Sequence, residues 1–323
     1  MIIYYLFKLN NLNKTNKMNV NNYGFKFNEI ILDETNNRVI KKAKNEHGTK
    51  KINNEIYFYK KILNLELKFN IPKLIKYENG IYHMELLKNF IPITHVIDKY
   101  NFKNYVDAIL NDLNNIHKQT IYISNFTIKN DIVKEVETKI FDRYNETNWI
   151  EIPYFNSIQT VNNIKIQNIN CYVLKIKNTL LNLLDKRDYY NLIHGDVHLG
   201  NILCNIETPD KLYYIDPRGY FGNTKLYGLK EYDYAKLLFG LSGYSVFDNM
   251  NFENLVIEEG NLNIQFIKNY EYVFNNCIFD KTTILLFLSI WLGNNSCFVD
   301  EKKKIVSLMI AYYYCENFLD KII

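Results

Sequence analysis

The chain is short of the residues that would make several function classes easy to assign. Among its 323 residues only five are cysteine, Cys171, Cys204, Cys277, Cys297 and Cys315, an odd number with wide spacing and no C-x-x-C pair. That excludes a disulfide framework and a cysteine zinc site, and predicts reduced, mostly core thiols. The six histidines are His47, His83, His95, His117, His194 and His198, and none follows position 198. A dinuclear metal centre needs an upstream Asp-x-His and further histidines downstream, so this supply is too small for one. No dense Lys/Arg run carries interleaved aromatics, which argues against a nucleic-acid track. The longest apolar run, Ile284 to Leu292, falls far short of a bilayer span. Met1 to Phe7 is too short for a signal core and has no small-residue cleavage site. A soluble cytoplasmic protein with no membrane partner is expected. Glycine is scarce early on: up to residue 88 there are only Gly24, Gly48 and Gly80, so neither G-x-G-x-x-G nor G-x-x-x-x-G-K is present.

What is there describes a well-packed globular protein. A hydrophobic content of 47% with 23% charged residues is ordinary, and the length allows one large domain or two lobes, each with its own core. Asn, Ile, Lys, Tyr and Phe are in excess along the whole chain, a general bias rather than a low-complexity segment. The net charge of +4 hides an asymmetry: residues 1–88 hold sixteen Lys+Arg against eight Asp+Glu, and residues 89–323 hold 23 against 27. A basic first part suits an anionic ligand and a mildly acidic second part suits a cationic one, although solvated surface lysines give the same count.

The most informative stretch runs from Leu192 to Cys204 and reads LIHGDVHLGNILC; its partner, Tyr213 to Gly219, reads YYIDPRG. Each is a short apolar run joined to acidic and amide groups. Residues 201–204 read as a strand, Glu207-Thr208-Pro209-Asp210 as a polar turn and 211–215 as the returning strand. That hairpin lands Asp216 beside Asn201. Two hard oxygen ligands, Asn201 and Asp216, are what a phosphate-bridging Mg²⁺ asks of a protein. Asp196, five positions before Asn201, stands on the preceding loop with the freedom to accept a proton from a hydroxyl.

These residues resemble the aminoglycoside phosphotransferase and choline-kinase-like small-molecule kinases, relatives of the protein kinases. His194-Gly195-Asp196-Val197-His198-Leu199-Gly200-Asn201 is similar to their catalytic loop, H-G-D-x-H-x-x-N, and Ile215-Asp216 to the metal-binding segment that follows. The resemblance implies an α+β, two-lobed protein-kinase-like fold, with a small antiparallel-sheet lobe over residues 1–88 and a larger, mainly helical lobe over 89–323. It also implies ATP and Mg²⁺ as cofactors, Asp196 as catalytic base, and Asn201 and Asp216 as metal ligands. His194 and His198 are expected to tie the loop down, and Asp233, opening a helix, to brace it.

In the first lobe, Glu29–Asp33 and Arg38–Ala43 read as strands joined through Asn36-Asn37. Alternation puts Val39, Lys41 and Ala43 on one face, so Lys41 is the better candidate to point inward, with Lys42 the alternative. The stretch Lys51–Leu63 carries a helical stripe of Ile52, Ile56, Tyr59 and Leu63 with Glu55 at its edge. An acid there is costly unless a cation meets it, and Lys41 is the obvious partner. By resemblance this is the kinase Lys–Glu pair, with Lys41 touching the α- and β-phosphates. Lys73–Tyr77 and Ile81–Leu86 form a second hairpin through Glu78-Asn79-Gly80 and run into the hinge that the resemblance implies. There Met84 would flank the adenine, and main-chain groups of Glu85 to Leu87 would bond it. The phosphate-covering loop stays unassigned.

The second lobe shows helical stripes at Phe102 to Ile116, Val173 to Leu184, 281–292 and 302–319, the last marked by Ile305, Leu308, Met309, Tyr312 and Tyr313. A less regular, aromatic-rich insertion over about 124–170 is where such kinases place acceptor-binding elements; its Phe126, Phe141, Tyr144, Trp149, Tyr154 and Phe155 could serve there or in the core. Pro217-Arg218-Gly219 departs from the family pattern, and Arg218 is expected to stabilise transition-state charge or to bind an anionic acceptor. The acceptor itself is left open among amino alcohols, aminoglycoside-like amines and sugars. Two other readings stand beside the small-molecule kinase: a protein Ser/Thr kinase, for which no A-P-E triplet follows Asp216, and a nucleotide-binding pseudokinase or scaffold.

Overall fold

The computed structural model describes residues 23–24, 27–152, 154–205, 207, 211–250, 252 and 256–322. Residues 1–22, whose sequence reads as a first strand followed by a loose connection, and the turn residues Thr208, Pro209 and Asp210 lie outside them. The chain divides into two compact units. One comprises Met1–Thr120, Asn191–Tyr220 and Lys225–Gly228; the other comprises Ile121–Tyr190, Phe221–Thr224 and Leu229–Ile323. The class is α+β, with small, mostly antiparallel sheets and long helices.

The first unit opens with an antiparallel sheet of five strands: β1 (Tyr23–Gly24), β2 (Asn28–Asp33), β3 (Arg38–Ala43), β4 (Leu74–Glu78) and β5 (Ile81–Glu85), in the order β1-β2-β3-β5-β4. Register sets one row of Ile30, Lys41 and Tyr82 and another of Leu32, Val39 and Met84. Between β3 and β4 runs helix α1 (Glu46–Asn64), capped by Asn45, whose Oδ1 accepts the Gly48 N–H at 2.9 Å. Its buried face is Ile52, Glu55, Ile56, Phe58, Tyr59 and Ile62. Each apolar member contributes roughly 1.5–3 kcal/mol by leaving water. The expected stripe ended on Leu63, which instead is 48% exposed. Ile62 takes its place, because 3.6 residues per turn puts position 62, not 63, over Phe58 and Tyr59.

Beyond the sheet, this unit contains β6 (Phe90–Pro92), α2 (Phe102–His117), β7 (Ile202–Asn205) and β8 (Leu212–Tyr214), with β7 central between β6 and β8. The β7–β8 hairpin pairs Ile202 with Tyr214 and Cys204 with Leu212, and the Ile215 N–H donates to Asn201 O at 3.0 Å. Asp216 therefore follows the residue bonded to Asn201, as the hairpin expectation required.

The second unit is mainly helical: α3 (Asn125–Ile132), α4 (Lys139–Asn145), α5 (Ile169–Leu183), α6 (Lys230–Phe239), α7 (Lys281–Leu292) and α8 (Glu301–Ile322). Helix α7 ends with its apolar run at Leu292 and opens three residues before it, at Lys281, where the N-cap Asp280 accepts the Thr283 N–H. In α8 the buried face takes Tyr314 where Tyr313 was expected. The expected irregularity of 124–170 is corrected in part: α3 and α4 are joined by a π-helical stretch, Val133–Thr138, into one continuous helical run. Within that region Trp149 is buried and stacks on Tyr144, whereas Phe126 and Tyr154 are exposed. Of the five cysteines only Cys204 and Cys315 are buried; Cys171 and Cys297 are exposed, which corrects the expectation of mostly core thiols. Among the described residues no helix is long and apolar enough to cross a membrane.

Candidate active site

Strand β3 turns Lys41 to the inner face of the sheet, where it is 5% exposed, while Lys42 faces solvent. Alternation along the strand decides between the two lysines. Lys41 Nζ meets both Glu55 carboxylate oxygens at 2.8 Å and Asp216 Oδ1 at 3.1 Å. Burial alone would lower the Lys41 pKa, but Asp216 and Glu55 outweigh it and raise it above the usual lysine range, so the ammonium stays charged. Burial pushes Glu55 up, against the pull of Lys41. Tyr82, beside Lys41 in the sheet, donates its hydroxyl to Glu55 Oε2 at 2.7 Å. Tyr59, one turn after Glu55 on α1, accepts the Asp216 N–H at 3.1 Å. Burial holds both phenols well above their ordinary range, so both stay neutral donors or acceptors.

Neither tyrosine was singled out as a site residue from the sequence. Tyr82 had no signal beyond its place opposite Lys41, and Tyr59 only its i+4 spacing from Glu55.

Asp216 is the strained member. Its φ is +55° and Pro217 follows it, a conformation that costs an L-residue on the order of 1–3 kcal/mol. The surrounding bonds hold it there: the Arg218 and Gly219 N–H groups both donate to His194 O, at 2.9 and 3.3 Å. Gly219, at φ +67°, passes so close to Asn54 that a Cβ would lie 3.0 Å from its carbonyl oxygen.

The loop before β7 is built around the same peptide. His194 is fully buried, edge-on to Phe58 at 5.5 Å, and its Nδ1 accepts the Asp196 N–H at 3.3 Å. His198 Nδ1 accepts the Gly200 N–H at 3.1 Å and so caps the short helical turn Leu199–Asn201. Asn201 Nδ2 donates to Asp196 O at 3.0 Å and approaches Asp196 Oδ2 at 3.4 Å. That orientation leaves Asn201 Oδ1 and the second Asp216 oxygen as two hard donors brought together across the hairpin, a set that fits Mg²⁺. Asp196 is half-buried, with its carboxylate steered by Asn201. The Arg218 guanidinium stacks on the Tyr220 ring at 3.9 Å. Asp233 belongs to the second unit, fully buried in the first turn of α6.

An apolar cleft adjoins Lys41 and Asp216. Ile30, Val39, Met84, Leu203 and Ile215 line it, together with Glu85, Leu86 and Leu87. The Glu85 N–H donates to Lys73 O and the Leu86 N–H to Asn37 O, both at 3.0 Å. Of the three amides expected to face a base, only that of Leu87 is not committed to another described residue.

No protein-family model and no curated protein matches the chain. Solved structures do. Choline kinase LicA from Streptococcus pneumoniae aligns over 98% of this chain and 100% of its own, at 14% identity and TM-score 0.53. A GDP and kanamycin complex of the aminoglycoside phosphotransferase APH(2'')-IIIa aligns over the same shares at 15% identity and TM-score 0.54. The ADP-bound phosphotransferase APH(2'')-Ib aligns over 98% and 99%, at 13% identity and TM-score 0.50. The chain has the kinase-like fold that these proteins share.

Proposed function

We propose that this chain is an ATP-dependent phosphotransferase that moves the γ-phosphate to a hydroxyl of a small molecule. One observation carries the reading: a buried lysine held between two carboxylates at the edge of an apolar cleft, with Asp196 and Asn201 on the loop bonded to the same turn. The kinase-like fold and the nucleotides named for its structural neighbours support it.

In this reading the nucleotide-binding lobe ends near residue 88, and the base lies between the apolar rows of the sheet and Leu203, bonded by the Leu87 amide beside Met84 and Glu85. Lys41 binds the α- and β-phosphates, and Glu55 keeps its ammonium in place. Asn201 and Asp216 would hold Mg²⁺, which would offset the negative charge of the phosphates. Asp196 takes the proton of the acceptor hydroxyl. Asn201 steers that carboxylate, and His194 and His198 fix the loop beneath it. Arg218 offers a planar cation to the transferred group or to an anionic acceptor.

The acceptor class is read as an amino alcohol, an aminoglycoside-like amine or a sugar. The test is ADP release by the purified protein with ATP and Mg²⁺ over a panel of these, with Asp196→Ala as control. Turnover with one class that the control abolishes is the expected result; no ADP release and no nucleotide binding would overturn the proposal.

A further inference from the structure

Helix α1 reaches Asp216 twice. Through Glu55 it positions Lys41, whose Nζ touches Asp216 Oδ1, and through Tyr59, one turn on, it takes the Asp216 backbone N–H. The second contact has no place in the mechanism above. Tyr59 is 1% exposed and its ring is edge-on to Tyr82 at 5.8 Å, so its hydroxyl is fixed by packing rather than by solvent. The group it holds is the one non-glycine residue of the site with left-handed backbone, placed directly before a proline. A strained conformation persists only where its surroundings over-determine it. Three contacts do so here: Lys41 on the carboxylate, His194 O on the two amides after Pro217, and Tyr59 on the Asp216 amide itself. Of the three, Tyr59 alone neither binds a phosphate nor belongs to the loop that carries Asp196.

We infer that the Tyr59 hydroxyl is a positioning group that keeps Asp216 turned to present its free carboxylate oxygen to Mg²⁺. This inference rests on the phosphotransferase reading. Its consequence is specific: losing the hydroxyl weakens the Mg²⁺-dependent part of nucleotide affinity and leaves the Mg²⁺-independent part intact, because Tyr59 is not among the residues that line the cleft.

The test is Tyr59→Phe, which removes one oxygen and keeps the ring. Binding of a non-hydrolysable ATP analogue is measured by calorimetry, first in chelator and then across a Mg²⁺ titration. Equal affinity in chelator with a Mg²⁺ half-saturation raised about fivefold to 150-fold is expected, the range for leaving a desolvated amide without its acceptor. In an Asp216→Asn background the same substitution should change the Mg²⁺ response no further, since both act through one carboxylate. Identical Mg²⁺ titrations for wild type and Tyr59→Phe, or an equal loss with and without Mg²⁺, would overturn the inference alone. A wild type that binds nucleotide with no Mg²⁺ dependence would overturn the reading beneath it as well. Should Tyr59→Phe fail to fold, amide hydrogen exchange of the wild type decides: a protected Asp216 N–H supports the inference, and exchange at the rate of an open loop overturns it.

Discussion

Two buried carboxylate clusters, one in each unit, are built on opposite principles. In the first unit Glu55 and Asp216 share the cation Lys41, Asp216 keeps a quarter of its side chain exposed, and its backbone is strained. In the second unit Asp131 is 1% exposed and is served by neutral donors: Asn223 N–H at 2.7 Å, Thr224 Oγ1 at 2.6 Å and Tyr190 OH at 3.2 Å. Glu135, one turn on, accepts the Gly222 N–H at 3.1 Å and pairs with Lys139 at 2.7 Å. Gly222, at φ +58°, lies against Asp131 so closely that a Cβ would come within 2.3 Å of it. The second cluster pins a tight hairpin. A buried acid saturated by hydroxyls and amides is architecture, whereas one balanced on a shared lysine beside a cleft can still bind something.

Substitutions should separate the two clusters. The largest effect is expected for Lys41→Met, which leaves Glu55 buried without its cation: stability should fall by about 3–5 kcal/mol in denaturant titration, and turnover should be lost with it. Asp196→Ala should cut turnover by about 10²–10⁴-fold with an unchanged unfolding midpoint, because the residue is half-buried and its role is proton transfer. Asp131→Ala should do the reverse, costing roughly 1–3 kcal/mol of stability by orphaning its donors, with turnover per folded molecule preserved. Tyr190→Phe removes the longest of those three bonds and should cost about 0.5–1.5 kcal/mol, again without a change in turnover. A stability loss in Asp196→Ala, or a turnover loss in Asp131→Ala, would break the distinction.

The same contrast explains what could be read in the sequence. The β7–β8 hairpin was legible because both its strands are short apolar runs and the polar residues fall at one end, so Asn201 and Asp216 had to meet. Lys41 was legible from alternation, and Glu55 from the cost of an acid on a buried helix face. Tyr59 and Tyr82 were not, because a chain with 27 tyrosines gives no reason to choose two of them, and their role depends on a register and a helix rotation. Asp131 and Glu135 look like surface acids in an Asn- and Lys-rich stretch. Their burial follows from the hairpin around Gly222, ninety residues away in sequence, which no local period reports. The helix over 125–145 was missed for a related reason: its π-helical stretch breaks the 3.6-residue repeat that marks a helix.

The central claim, that the Lys41 cluster rather than the Asp131 cluster is the nucleotide site, is tested most directly by hydrogen exchange with and without ATP and Mg²⁺. Protection confined to β3, residues 84–87 and the segment 194–218 is the predicted result. A footprint over 131–135 and 221–224, or none anywhere at saturating nucleotide, would contradict it.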